Sequence, residues 1–160
     1  MNLQVHSTPV QLAEHLRQIH FGGNWTDVNL QQQLDAVDWQ QATRRTAGFH
    51  SIAALAFHIH YFVDAVLNVL RGNPLHAHDR FSFDHPPIES EADWQNLLVQ
   101  MGSAADQAAS LIEQLPEQRL WDDFSDQRYG NYYRNILGII EHGHYHLGQI
   151  VLIRKLIQES

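Results

Sequence analysis

Three histidines lie within five positions near the end of the chain, in the segment EHGHYHLGQ at residues 141–149. Residues four apart share one face of a helix, so His142 and His146 lie together, whereas His144 points elsewhere. Two imidazoles one turn apart can bind a single divalent cation through their ring nitrogens. Alternatively, backbone, water or a solvated edge of the fold satisfies both rings. The spacing alone does not choose between these interpretations.

The helix that carries these histidines has a well-defined apolar side. Its apolar positions recur three and four residues apart, and His142 and His146 both fall within their arc. Those positions are Ile136, Ile139, Ile140, Gly143, Leu147, Ile150, Ile153 and Ile157. Buried ring nitrogens need partners, because an unpaired buried polar group costs roughly 1–3 kcal/mol. A divalent cation would satisfy both rings at once.

A third ligand would have to come from another helix. An earlier long helical segment has three histidines in it or just before it, namely His50, His58 and His60. His58 lies beside Leu55 and Phe62 at the edge of the apolar stripe. His60 lies on the other flank, and His50 precedes the helix. Periodicity slightly favours His58 and does not exclude His60. Three histidines from two helices would leave an open coordination position, as catalytic metal sites do.

Other polar residues near these histidines have weaker cases. Gln149 could hydrogen-bond a ligand histidine or a substrate, but its spacing fits an ordinary polar residue at the core margin better. Asp64 lies one turn after His60 and could orient an imidazole. Glu141 lies about 100 degrees round the helix from His142 and is therefore a poor direct ligand.

Composition narrows the class of protein. The 160 residues fit one soluble domain, with 44% hydrophobic and 18% charged residues. The net charge of -8 argues against nucleic-acid binding, which depends on clustered Lys and Arg. There is no cysteine, so a bound metal must have N and O ligands. We see no membrane-length apolar run and no signal peptide, and we expect a cytoplasmic protein.

The apolar periodicity predicts an all-α fold. Four principal helices joined by long connections indicate a four-helix bundle with short extra helical segments. Thr8 is expected to cap the first helix, with Gln11 as its capping-box partner, and Ser90 the third. The predicted helical segments are a first helix ended by FGGN at 21–24, a short segment at 30–37, and helices at 51–71, from 90 to about 115, and at 132–157. The two long connections are a loop at 75–88 and a segment at 116–130.

Two segments give the chain a resemblance to a known family. GFHSIAALAFHIHYF at 48–62 and YYRNILGIIEHGHYHLGQIVLIRK at 132–155 resemble the second-helix and last-helix signatures of the DinB-like superfamily. FGGNW and the Trp94 helix are similar to one of its branches. The resemblance implies a single four-helix-bundle domain over residues 1–160. It also implies a divalent metal ion, nickel, zinc or iron, held by His58, His142 and His146.

The same resemblance also says which other histidines match ligand positions of the family. His60 and His144 do not match family ligand positions. His50 matches a position just before the helix that is often polar, so it could support the site or cap the helix at the surface.

The resemblance also implies candidate functions. Some relatives are metal-dependent transferases or isomerases that act with low-molecular-weight thiols such as bacillithiol, mycothiol or glutathione, and others have been described as hydrolases. We therefore expect a metal-dependent enzyme, a thiol-dependent S-transferase or a hydrolase, acting on a small molecule. The alternative is a non-catalytic metal- or ligand-binding stress-response protein. No nucleic-acid or membrane partner is expected.

Two groups of apolar residues bear on partners. Relatives form dimers through helix faces, and an exposed apolar set is consistent with a homodimer here. That set is Phe57, Tyr61, Tyr145 and Leu152. A second, aromatic set could line a pocket or belong to the core, and it comprises Tyr61, Trp121, Phe124, Tyr129, Tyr132 and Tyr133.

Overall fold

The computed structural model describes residues 7–46 and 48–159, and within these ranges it confirms the all-α prediction. The helices are α1 Thr8–Phe21, α2 Leu30–Asp35, α3 Trp39–Thr43, α4 Ile52–Leu70, α5 Glu91–Glu113 and α6 Tyr132–Gln158. Short 3-10 turns occupy Asp79–Phe81, Glu117–Trp121 and Gln127–Tyr129. No β-strand forms in the described ranges. An isolated antiparallel β-bridge joins Asp123 to Asn131.

The four long helices, α1, α4, α5 and α6, do not simply alternate in direction along the chain. Thr8 at the start of α1 donates to Glu117 beyond the end of α5, so α1 and α5 are antiparallel. Arg71 at the end of α4 donates to Gln107 in the second half of α5, so α4 and α5 are parallel. Helix α6 is antiparallel to α4, because His58 in the first half of α4 meets His142. Ala65 and Val66, further along α4, share a cleft wall with Ile139, which comes earlier in α6. Because parallel neighbours cannot be joined by a tight turn, residues 71–90 must travel the length of the bundle.

Polar residues start the three longest helices. Ser51, Ser90 and Asn131 each accept a hydrogen bond from a backbone N–H in the first turn of α4, α5 and α6. The prediction that Thr8 caps α1 is wrong. The helix begins at Thr8 itself, and the Thr8 hydroxyl donates instead to Glu117 Oε1 at 2.6 Å.

The segment between α1 and α4 contains one more helix than periodicity indicated. Helix α2 matches the predicted segment, but α3 was not predicted because its sequence WQQAT has no apolar period. Asp38 and Gln41 form a capping box at its start, and this local pairing specifies the helix. The α3 region is fixed to α5 by the Trp94 Nε1–H, which donates to the Val37 carbonyl at 3.1 Å.

Helix α4 has the length and apolar composition of a membrane span. By length and composition alone, Ile52–Leu70 could cross a membrane, contrary to the expectation from the sequence. However, 67% of its most apolar window is buried inside the bundle. The core helix of a soluble protein has the same properties, so the finding is weak evidence for a span.

Two of the four residues expected on an exposed apolar face are half-buried. The Tyr61 hydroxyl donates to the His78 carbonyl at 3.2 Å and accepts from the His78 N–H at 2.9 Å. Phe57 packs beneath the same connection, with its ring centroid 6.2 Å from that of His85. Tyr145 and Leu152 on α6 are exposed. The connection between α4 and α5 therefore covers much of the outer side of α4.

The buried His20 at the end of α1 predicts acid sensitivity of the fold. Burial lowers the pKa of His20 to about 4, while its Nδ1 bonds the Leu16 carbonyl and opposes that shift. In the unfolded chain its pKa returns to about 6.5, so the unfolded state binds more protons between these values. Stability due to His20 is therefore complete above pH 6.5 and is lost as pH falls towards 4.

We expect His20→Leu to weaken this pH dependence. Between pH 7.5 and 4.5 the free energy of unfolding of the wild type should fall by about 2–3 kcal/mol more than that of the variant. Urea unfolding followed by circular dichroism at the two pH values measures both. Identical losses in the two proteins would contradict the assignment.

Candidate metal centre

Three histidine side chains from α4 and α6 converge inside the bundle. His142 Nε2 lies 2.9 Å from His58 Nε2 and 3.0 Å from His146 Nε2. His58 and His146 are buried, and His142 is half-buried. The ring centroids of His58 and His146 are 4.7 Å apart. The structure thus brings together the three residues that the resemblance pointed to, and the group could hold a metal ion.

A glycine allows α6 to present these rings from a closely packed position. A Cβ atom at Gly143 would lie 3.2 Å from Ile19 Cδ1, closer than most such contacts. Helix α1 therefore packs directly against α6 beside His142. Because α1 occupies this side of α6, the rings of His142 and His146 project towards α4. His58 lies on α4, one helical turn before Phe62.

His58 is held by a serine from the connection between α4 and α5. Ser82 is fully buried, and its hydroxyl donates to the Asp79 carbonyl at 2.6 Å. A hydroxyl has one proton, so Ser82 Oγ must accept from His58 Nδ1, which lies 2.8 Å away. This places the His58 proton on Nδ1 and leaves a lone pair on Nε2.

His146 is held in the same way by a residue of its own helix. Its Nδ1 lies 2.6 Å from Gln149 Oε1, and an amide oxygen only accepts hydrogen bonds. The proton of His146 is therefore also on Nδ1. Gln149, which spacing suggested was an ordinary polar residue, orients one of the three rings.

These hydrogen bonds produce an arrangement that needs a positive charge. His58 and His146 both direct bare Nε2 lone pairs at His142 Nε2, which can donate to one of them at most. At least one close nitrogen pair is therefore repulsive unless a cation or an additional proton lies between the rings. Imidazole nitrogens are good ligands for zinc, nickel and iron, so the donor set fits a transition metal.

The electrostatic environment opposes the extra proton. Burial, together with the charge that a protonated His146 would carry, lowers the pKa of both His58 and His142 to about 4. The pKa of His146 is lowered as well, mainly by burial. The carboxylate of Asp79 acts in the opposite direction on His58 and His142 without overcoming burial. Near neutral pH the rings stay unprotonated and retain their lone pairs.

Aromatic stacking fixes the plane of the His58 ring. Phe83 stacks on it with centroids 3.9 Å apart and planes within 6°. His50 stacks on the other face of Phe83 at 4.1 Å. Phe62 meets His58 edge-on at 5.1 Å. His50 thus supports the site through Phe83, and the charge that a protonated His50 would carry contributes to the lowered pKa of His58 and of His146.

A cleft reaches two of the three rings. Its volume is about 560 Å³, and its wall includes His58 and His142. The carboxylate of Asp79 lies on the same wall. Of the six aromatic residues that the sequence suggested, Phe124 and Tyr129 line this cleft, whereas Trp121 and Tyr133 stack on each other at 5.2 Å.

Several other candidate residues lie elsewhere. His60 and His144 are half-buried outside the triad. Asp64 accepts a hydrogen bond from Asn68 at 3.1 Å and does not contact a triad ring. Glu141 is exposed and pairs with Arg134 at 3.2 Å.

Sequence reasoning missed three residues of the connection between α4 and α5, namely Asp79, Ser82 and Phe83. Their positions carry no helical period. A usable signal was the length of the connection, since loops of more than about 12–15 residues are uncommon and often functional. Phenylalanines inside such a polar loop, as in FSF at 81–83, also indicate a segment that packs onto the core.

The fold and the site define a class: a helical bundle with three converging histidines from two antiparallel helices. Residues 24–150 match the family model described as DinB superfamily. The match covers more than half of the chain, so this protein belongs to the DinB superfamily, as the resemblance implied. No curated protein and no solved structure matches it.

The tautomers assigned to His58 and His146 are testable without any metal. In metal-free protein at pH 7.5, ¹⁵N NMR of the imidazoles should show the Nδ1–H form for both. Ser82→Ala should remove this preference from His58 alone, and Gln149→Leu from His146 alone. Gln149→Glu keeps an acceptor and serves as the control. An Nε2–H form of His58 in the wild type would contradict the assignment.

Proposed function

We propose that the protein is a divalent-metal enzyme in which His58, His142 and His146 hold one nickel, zinc or iron ion. The proposed reaction is transfer of a low-molecular-weight thiol to a small electrophile, with hydrolysis of a small molecule as the second possibility. The cleft carries the argument for catalysis, because it leads from solvent to the rings of His58 and His142.

An open coordination position separates this proposal from a purely structural site. Among the described residues, the group of potential ligands within 4.8 Å of one another consists of the three histidines. A closed structural site usually has a fourth side chain, whereas catalytic sites have three and an exchangeable position. The geometry therefore favours an enzyme over a stress-response protein that only binds metal or ligand.

A bound divalent ion would lower the pKa of a thiol or water in the open position and so supply a nucleophile near neutral pH. The chain has no cysteine, so a thiol would have to come from a small molecule. Asp79, a carboxylate on the cleft wall near His58 and His142, is the candidate to accept the released proton. Ser82 and Gln149 keep the imidazole lone pairs directed at one point.

The size of the cleft supports transfer over hydrolysis. Ligand pockets for small organic molecules typically have volumes of about 300–1,000 Å³. At about 560 Å³, the cleft has room for a thiol and an electrophile together. A water nucleophile would need much less space.

Metal content tests the proposed ligands. Protein purified without an affinity tag should carry about one divalent ion per chain by mass spectrometry. His58→Ala, His142→Ala and His146→Ala should each lose most of it, because two imidazoles bind much more weakly than three. His60→Ala and His144→Ala are matched controls and should retain it. Normal metal content in the triad variants, with folding checked by circular dichroism, would refute the site.

Activity tests the enzymatic part of the proposal. Metal-loaded protein should consume a small electrophile in the presence of glutathione, bacillithiol or mycothiol, or hydrolyse a small ester or amide. In the assay that gives turnover, Asp79→Asn should lower the rate by about 10²–10⁴ with unchanged metal content. Full metal occupancy without turnover in either class would favour the non-catalytic alternative.

A further inference from the structure

The cleft beside the triad has an uneven distribution of charge. Most of its wall is apolar, formed by Phe62, Ala65, Val66, Leu75, Phe124 and Ile139. Histidines apart, the charged side chains that line it are Asp79, near the triad, and Arg134. An apolar cavity with a few placed polar groups is typical of a small-molecule site in which the polar groups fix orientation.

The Arg134 side chain lies beside Gly138 on the cleft wall. A Cβ atom at Gly138 would lie 3.6 Å from Arg134 Nη1, an ordinary contact distance, so the guanidinium is next to that residue. Gly138 precedes His142 by one helical turn, an axial rise of about 6 Å. The positive charge is therefore roughly one turn of helix away from the converging imidazoles.

The present partner of Arg134 is easy to displace. Arg134 Nη1 lies 3.2 Å from Glu141 Oε2, with the two side chains 63% and 56% exposed. Exposed ion pairs contribute little, because water screens both charges and the long side chains lose entropy. A ligand anion that reached the guanidinium from within the cleft would also be in a less hydrated environment than Glu141, and guanidinium binds carboxylates in a two-point fork.

We propose that the substrate of this cleft is a small apolar molecule carrying a carboxylate or similar anion, which Arg134 binds about one helical turn from the three histidines. Glu141 competes with that anion for the guanidinium. This inference rests on the proposed function, since it describes the substrate of the same site.

Two ligands of equal size test the charge requirement. We choose 4-phenylbutyrate and its uncharged analogue 4-phenylbutanol, titrated by NMR at low ionic strength. The acid should bind about tenfold more tightly than the alcohol to the wild type. Arg134→Met should abolish this preference and leave the affinity for the alcohol unchanged. Glu141→Gln should raise the affinity for the acid about two- to fivefold.

Arg128→Met is the matched control for net charge. Arg128 is an exposed arginine paired with Asp126 at 2.7 Å and does not line the cleft. Its substitution should leave the preference for the acid intact. Equal binding of acid and alcohol to the wild type would overturn the proposal, as would a preference that survives Arg134→Met.

Metal content measured on the same samples separates this inference from the proposed function. A metal-bearing protein without an Arg134-dependent preference would overturn only the inference about the substrate. An Arg134-dependent preference in protein that binds no divalent ion would overturn the metal enzyme and leave the anion site in place. A preference removed by a chelator but not by Arg134→Met would show that the carboxylate binds at the triad instead.

Discussion

Three imidazole Nε2 atoms directed at one point inside a helical bundle are the constraint on which the rest of this structure depends. His142 Nε2 can donate to only one of its two neighbours at 2.9 and 3.0 Å, so the other nitrogen pair is tolerable only with positive charge between its atoms. The buried surroundings hold the pKa of His58 and His142 near 4, which makes an extra proton unfavourable near neutral pH. A divalent cation meets the same requirement and is the simplest resolution. The proposed function follows from this preference for a metal over a proton.

The parallel arrangement of α4 and α5 also explains how the metal-ligand candidate His58 is held in place. Helices α4 and α5 are parallel neighbours, so residues 71–90 must cross the bundle from the end of one to the start of the other. On its way this connection passes His58 and places Ser82 and Phe83 against it. It also brings Asp79 to the wall of the cleft. The topology therefore supplies the hydrogen bond that sets the tautomer of His58 and the ring that fixes its plane.

Helical periodicity was sufficient to pair His142 with His146, because both lie on one regular helix. Their relative positions follow from a rise and rotation common to all α-helices, and the family resemblance resolved the choice between His58 and His60. Helix α3 and the cap of α1 were missed or misplaced because they depend on individual side-chain bonds. Ser82, Phe83 and Asp79 were missed because a long connection has no period. Arg134 was missed because its place in the cleft depends on the opposite wall, which only the packed bundle defines.

The most direct test of the central claim is X-ray absorption spectroscopy of the protein with its bound divalent metal. Three imidazole nitrogens at about 2.0–2.1 Å, together with light-atom ligands that exchange when a small thiol is added, would agree with an open three-histidine centre. Replacement of such a ligand by sulfur at about 2.3 Å would be the expected response to the thiol. Fewer than three imidazoles, or a coordination sphere that no added thiol or water can enter, would contradict it.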